Sequence, residues 1–325
     1  MDTPDLSAWP ITPRAVRPAP DGRNNATYFV DSAEDRYVLR VYRNTADPSR
    51  VRDEHELLGR LAVAELPFAT PLPVRTTGGD TLAVLETPRG PCLAALFFRI
   101  PGEPADLSVA SARLGGWALA RVDTALGRLD LPVRSPAALR DVHSLVPDPD
   151  AALAELGLGP GADVAAAVLG RVEDAHDALS RSLPSQIVHG DFAFPNLLVD
   201  QGRVSGLVDF EFAGPDFRAA DLAAALYVIT VRAHERERWR TLEAFAAGYR
   251  RSTPLDPLEV AALPELMLRR AAIGLVHWLG RWRAGIADRS EPVARVERTT
   301  RFAAWIDENA ARVALTVAGE SLPRR

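Results

Sequence analysis

Beyond about Leu107 the chain reads as Ala-, Leu- and Arg-rich helix, with one exception. The stretch QIVHGDFAFPNLLVDQGRVSGLVDF, residues 186–210, has short β-branched runs broken by polar loops. It predicts short strands around loops inside an otherwise helical half, with Gln201-Gly202 as a hairpin turn. The helical pattern covers 108–127, 161–181, 218–251, 256–284 and 291–315.

The first hundred residues have a different texture. ATYFVD (26–31) and RYVLRVYR (36–43) carry the aromatic and β-branched content of strands and flank the polar turn SAED. In SRVRDEHELLGRLAVAEL, Val51, Leu57, Leu58 and Leu61 approximate one helical face, and Pro67 marks the end. TLAVLE and CLAALFFRI add two strands. The expectation is an α+β chain: a mostly antiparallel sheet with one helix over 1–100, then a larger, mainly helical part over 101–325, divided at Ile100-Pro101-Gly102.

Composition removes several functions. Cys92 is the only cysteine, so neither an intrachain disulfide nor a cysteine-based zinc site can form. The opening residues lack a basic and then apolar leader, and no apolar run approaches the roughly 18 residues of a membrane helix. A cytoplasmic protein without membrane partners is expected. A net charge of −5 leaves no basic footprint for nucleic acid. From Arg232 onward, however, 17 Arg stand against 12 acidic residues. All 38 basic residues are arginine, which excludes a Walker-type phosphate loop, a Schiff-base lysine and a lysine general base. Any cation on a phosphate must be Arg.

Phosphoryl transfer needs a carboxylate facing the acceptor hydroxyl, oxygen ligands for Mg²⁺ and a cation on the nucleotide. Asp191 precedes Asn196 by the Asp-x-x-x-x-Asn interval of kinase catalytic loops, and Asp209-Phe210 ends the next apolar strand. In a hairpin, Asn196 and Asp209 would lie side by side, close enough to share a cation. Each residue alone is ordinary loop chemistry; His189-Gly190 before Asp191 and Phe210 after Asp209 make the set specific. The other histidines are scattered singly, which disfavours a metal hydrolase built on His189 and Asp191.

These segments, HGDFAFPN (189–196), LVDFEFAG (207–214) and RAADLA (218–223), resemble the aminoglycoside phosphotransferase superfamily, which includes homoserine, choline and related small-molecule kinases. The resemblance covers roughly residues 20–230. It implies the two-lobed protein-kinase-like fold, ATP and Mg²⁺ as cofactors, Asp191 as catalytic base or hydroxyl-orienting carboxylate, and Asn196 and Asp209 as Mg²⁺ ligands. His189 would brace the loop. Asp221 is either the superfamily's buried aspartate tying loop N–H groups together or an ordinary helix-terminal acid. Glu211 is an accessory acid or a solvated carboxylate.

In the N-terminal part the resemblance makes Gly22, Asn24 and Asn25 the phosphate-covering turn, and places Arg40 where many kinases have lysine. Its ion-pair partner would be Glu54, with Glu56 as the alternative. Adenine would meet backbone near Phe98 to Ile100, with Phe97 or Phe98 in the core. Asp123 stands where the superfamily often has His, and no role follows for it. His277-Trp278 and Arg281-Trp282 either line an acceptor pocket or pack a core.

The expected function is ATP-dependent transfer of the γ-phosphate to a hydroxyl of a small molecule. A homoserine-like amino alcohol or hydroxy acid suits the mildly basic C-terminal part. The alternatives are an aminoglycoside or other antibiotic phosphotransferase, and a nucleotide-binding pseudokinase scaffold.

Overall fold

The computed structural model describes residues 4–19, 25–43, 45–88, 90–131 and 135–320. In chain order, strands β1 (Pro13–Pro18), β2 (Asn25–Ser32) and β3 (Arg36–Tyr42) precede helix α1 (Pro48–Ala62), followed by β4 (Ala83–Thr87), β5 (Gly90–Phe98) and the two-residue β6 (Glu103–Pro104). Helices α2 (Val109–Leu126), α3 (Pro149–Ala154) and α4 (Pro160–Ser182) lead to β7 (Ser185–Val188), β8 (Leu197–Asp200), β9 (Arg203–Leu207) and β10 (Gly214–Phe217). Four helices close the chain: α5 (Ala220–Arg232), α6 (Glu235–Arg250), α7 (Pro257–Arg283) and α8 (Ser290–Ala318).

Two compact units result. One comprises Met1–Pro104 with Asn196–Glu211, the other Ala105–Pro195 with Phe212–Arg325. An N-terminal antiparallel sheet with one helix and a larger helical C-terminal lobe form the protein-kinase-like architecture expected from the sequence.

The sheet of the first unit runs β1-β2-β3-β5-β4. Alternation along β3 buries Tyr37, Leu39 and Val41, which pack with Val30, Leu85, Ala94 and Leu96. Leu6 and Trp9, from the Pro-rich lead-in, complete this core. Asp47 caps α1 by accepting from the Ser49 N–H at 2.9 Å, and Pro48 opens it, where a missing N–H costs nothing. The helix buries Val51, Leu57, Leu58 and Leu61, the stripe read from the sequence, but stops at Ala62, short of Pro67.

The hairpin β8–β9 turns at Gln201 (φ 47°) and Gly202 (φ 76°), the left-handed pair of a tight two-residue turn. It joins the first unit through Ala69, whose N–H donates to Ser205 O at 2.9 Å and whose carbonyl accepts from Leu207 N–H at 3.1 Å.

Two expectations need correction. Strand β1 lies in what the sequence presents as a lead-in; it is an exposed edge strand, where proline is tolerated. The helical stretch 218–251 is two helices, because Ala233 leaves α5 in an extended conformation and His234 caps α6 by accepting the Arg236 N–H at 3.4 Å.

In the second unit α2 and α6 meet backbone to backbone. A Cβ added at Gly116 would collide with the Phe245 carbonyl, and one at Gly248 with the Arg113 carbonyl. Gly248→Ala should therefore destabilise the protein by about 1–3 kcal/mol through overpacking. Gly170→Ala on α4, where the methyl meets nothing, should be neutral or stabilise by up to about 1 kcal/mol. Urea unfolding checks both; equal losses would contradict the close approach.

Candidate active site

The loop after β7 is held from beneath. Asp221, in the first turn of α5 and fully buried, accepts from the His189 N–H at 2.6 Å and the Gly190 N–H at 2.8 Å. Two backbone donors on one carboxylate fix the loop's path. Of the two readings of Asp221, the loop tie is what the structure contains. Gly190 sits at φ 81°, and a Cβ there would strike the Phe212 carbonyl, so glycine is required on both counts. Buried His189 accepts the Asp191 N–H through Nδ1 at 3.3 Å, the bracing expected of it. The Asp191 carboxylate, half-buried, pairs with Arg270 of α7.

Beneath Asp221 lies a second buried carboxyl, Asp123 of α2. Tyr249 donates its hydroxyl to Asp123 Oδ2 at 2.6 Å, and the Gln186 amide donates to the Asp123 carbonyl at 2.9 Å. Burial and the neighbouring Asp221 charge hold the Asp123 carboxyl well above its usual range.

In the first unit, Arg40 of β3 spans two acids. Its Nη1 donates to Glu54 Oε1 at 3.1 Å and its Nη2 to Asp209 Oδ1 at 3.2 Å. Burial disfavours the guanidinium charge, but Glu54 and Asp209 outweigh it and hold Arg40 above its ordinary value. Glu54 is thus brought to Arg40, whereas Glu56 pairs with Arg60 at 2.7 Å on the outer face of α1. The Val208 N–H donates to the Asn196 carbonyl at 2.9 Å, setting Asn196 beside Asp209 at the open end of the β8–β9 hairpin. Asp209 holds φ 71°, a left-handed strain of about 1–3 kcal/mol of the kind that clusters at functional sites. Asn25 donates its amide to Glu211 at 2.7 Å, so that carboxylate is engaged with the N-terminal sheet. Gly22 and Asn24, the rest of the expected phosphate-covering turn, lie outside the described residues.

At the end of β5, Phe97 is buried and Phe98 is 40% exposed. The Phe98 N–H already donates to Leu72 O at 3.1 Å and the Arg99 N–H to Arg36 O at 2.9 Å. An adenine at this edge would therefore rely on carbonyls or on Ile100.

The donor set offers the Asn196 amide and the Asp209 carboxylate, both hard oxygen ligands. Among the described residues no group of three or more His, Cys, Asp or Glu could hold a metal. Two oxygens suit Mg²⁺, which keeps waters and takes further ligands from phosphate, and do not suit a closed zinc cage. The residues fit the ion that the sequence implies.

The sequence did not single out Arg270 or Tyr249. Arg269-Arg270 is a visible doublet in an apolar helix, but its members part: Arg269 pairs with Asp216 at 2.9 Å, while Arg270 reaches Asp191.

Burial raises the Glu54 carboxyl to about 7 against the opposing pull of Arg40, from 4.5 when unperturbed. The folded protein then binds this proton more tightly than the unfolded chain. Its stabilising effect is complete below the unfolded value and is lost as pH rises through about 7. Urea midpoints measured from about pH 5 to 8 should fall more steeply for wild type than for Glu54→Gln; parallel profiles would contradict this. Asp123→Asn, which keeps a donor and an acceptor, should preserve stability and activity. Asp123→Ala, which orphans the Tyr249 hydroxyl, should cost about 1–3 kcal/mol in the same assay.

The phosphotransferase enzyme family matches over residues 15–255. A homoserine kinase of Phenylobacterium zucineum (strain HLK1) is 30% identical over 263 residues, covering 78% of this chain and 76% of its own. Two solved structures share the fold: an amicoumacin kinase in complex with AMP-PNP, Ca²⁺ and Ami (TM-score 0.67, 15% identity, 93% and 90% of the two chains), and an aminoglycoside phosphotransferase from Alicyclobacillus acidocaldarius (TM-score 0.61, 16% identity, 97% and 95%). No helix among the described residues is long and apolar enough to cross a membrane. The chain belongs to the phosphotransferase enzyme family, within the aminoglycoside-phosphotransferase and homoserine-kinase-like superfamily, and is by that membership an ATP-dependent phosphotransferase acting on small-molecule hydroxyls.

Proposed function

We propose that this chain binds Mg-ATP through Arg40, Asn196 and Asp209 and uses Asp191 to orient the acceptor hydroxyl and take its proton. The observation that carries this reading is the bridge from Arg40 to both Glu54 and Asp209: the cation in the usual lysine position is tied to the α1 acid and to an expected metal ligand. The Mg²⁺ would neutralise charge on the phosphates. Arg40 adds a fixed positive charge to the same end, and Glu54 holds its guanidinium through Nη1. Asp191 is held in place by the loop that Asp221 ties down. Glu211 is available as an accessory acid only if it releases Asn25.

Two acceptor classes follow. The mildly basic C-terminal part suits a homoserine-like amino alcohol or hydroxy acid, a reading shared with the homoserine kinase relative. The family, with the amicoumacin kinase and aminoglycoside phosphotransferase folds, gives more support to a hydroxylated antibiotic, because net charge over a third of a chain is a blunt guide to one pocket. Both fit the same chemistry.

ADP release with Mg-ATP against amino alcohols, hydroxy acids, aminoglycosides and macrolides tests the reading. Acceptor-dependent release should fall about 10²–10⁴-fold in Asp191→Ala, the usual cost of removing an acid–base group. ATP binding with no acceptor-dependent release across the panel would favour a nucleotide-binding scaffold instead.

A further inference from the structure

Helix α7 carries Arg270, Gly274, His277, Trp278 and Arg281, the i, i+4, i+7, i+8 and i+11 positions of one helical stripe. Arg270 begins the stripe, donating through Nη2 to Asp191. Its Nε is buried and has no hydrogen-bond acceptor among the described residues. One turn on, a Cβ added at Gly274 would meet nothing within 4 Å, so the stripe has a gap there. Beyond the gap stands an aromatic wall: His277 lies edge-on to Phe212 at 5.9 Å and to Trp278 at 6.1 Å, and Arg281 covers the Trp278 ring at 5.1 Å. Burial, with Arg281, His143 and Arg270 nearby, lowers His277 to about 4, so it is neutral at pH 7 and the charge of the stripe is arginine charge.

We propose that this stripe is the acceptor subsite, with the fork of Arg270 binding a carboxylate of the acceptor, the Gly274 gap taking its short aliphatic part, and Asp191 facing its hydroxyl. The proposal rests on the reading of the chain as a kinase with Asp191 at its centre, and deepens it by assigning the acceptor an anionic group. A guanidinium presents five N–H donors, so one carboxylate oxygen of Asp191 leaves most of them to a ligand, and a planar carboxylate is the group that matches the fork. The buried Nε lacking an acceptor is a donor for which no described residue supplies an oxygen. A polycation without a carboxylate would face two guanidinium groups along the stripe and be repelled. An acceptor the size of an amino acid and a larger carboxylate-bearing antibiotic both satisfy the proposal.

Direct binding, read by calorimetry and by Trp278 fluorescence in the presence of Mg-AMP-PNP, separates this from turnover. The probes are homoserine against homoserine amide, serine against serinol, and kanamycin as the polycation. Wild type should bind the acids more tightly than their neutral analogues. Arg270→Gln should weaken the acids by at least about 30-fold, equivalent to about 2 kcal/mol, and leave the neutral analogues unchanged. Arg270→Lys should recover part of that loss. Gly274→Leu, which fills the gap, should weaken acid and neutral analogue alike while Mg-AMP-PNP still binds, a control that the protein is folded. Equal binding of acids and amides, no acid binding, tighter binding of kanamycin, or an Arg270→Gln variant that loses Mg-AMP-PNP rather than acid would each overturn the proposal. Acid-selective binding with no ADP release would uphold the subsite and sink the kinase reading, so the two failures are distinguishable.

Discussion

One buried carboxylate organises the helical unit. Asp221 accepts two successive backbone N–H groups, from His189 and Gly190, and so dictates where the next residue, Asp191, begins. A charged acceptor buried without partners would be prohibitive, and the two backbone donors make it tolerable. The surrounding sequence serves that arrangement. Gly190 adopts a left-handed conformation to complete the turn, His189 accepts the Asp191 N–H, and burial with the Asp221 charge holds the Asp123 carboxyl beneath well above its usual range. Tyr249 then anchors Asp123 from α6, the helix whose Gly248 lets α2 approach closely. Backbone packing of two helices is thereby coupled to the position of the loop that carries Asp191.

The absence of lysine shapes the sheet unit in a comparable way. An ammonium in the place of Arg40 would be a point charge, whereas the guanidinium fork donates to Glu54 and Asp209 from different nitrogens at once. The substitution ties α1 to the hairpin end that carries Asn196 and Asp209. Glu54 keeps its partner but remains so buried that its carboxyl titrates near neutrality, so the strength of this bridge depends on pH in a range where kinases work.

Much of this was legible in the sequence because it rests on local pattern. Aromatic and β-branched content gave β2 and β3, periodicity gave α1, α2, α4, α7 and α8, and Gln201-Gly202 gave its turn. The pairing of Arg40 with Glu54 came from the family resemblance, which left Glu56 open, and the ion pair to Glu54 is the one the structure contains. What stayed hidden depends on tertiary contact. Strand β1 is defined by pairing with β2 and not by its proline- and arginine-rich composition, and Leu6 and Trp9 are core residues only because the sheet brings them back. The break at Ala233 and His234 has no glycine or proline to announce it. Asp123 looked roleless since its partner Tyr249 lies 126 residues away in the chain, and Arg270 is one of two adjacent arginines that only folding distinguishes.

The central claim is that this chain moves a phosphoryl group to an alcohol and that Asp191 is indispensable to the step. Phosphorus NMR of the protein with Mg-ATP and an accepted alcohol tests it most directly. The account predicts a phosphomonoester of the acceptor growing as the γ-phosphate signal declines, and neither change with Asp191→Ala. A phosphomonoester formed undiminished by that variant, or γ-phosphate released only as inorganic phosphate, would contradict it.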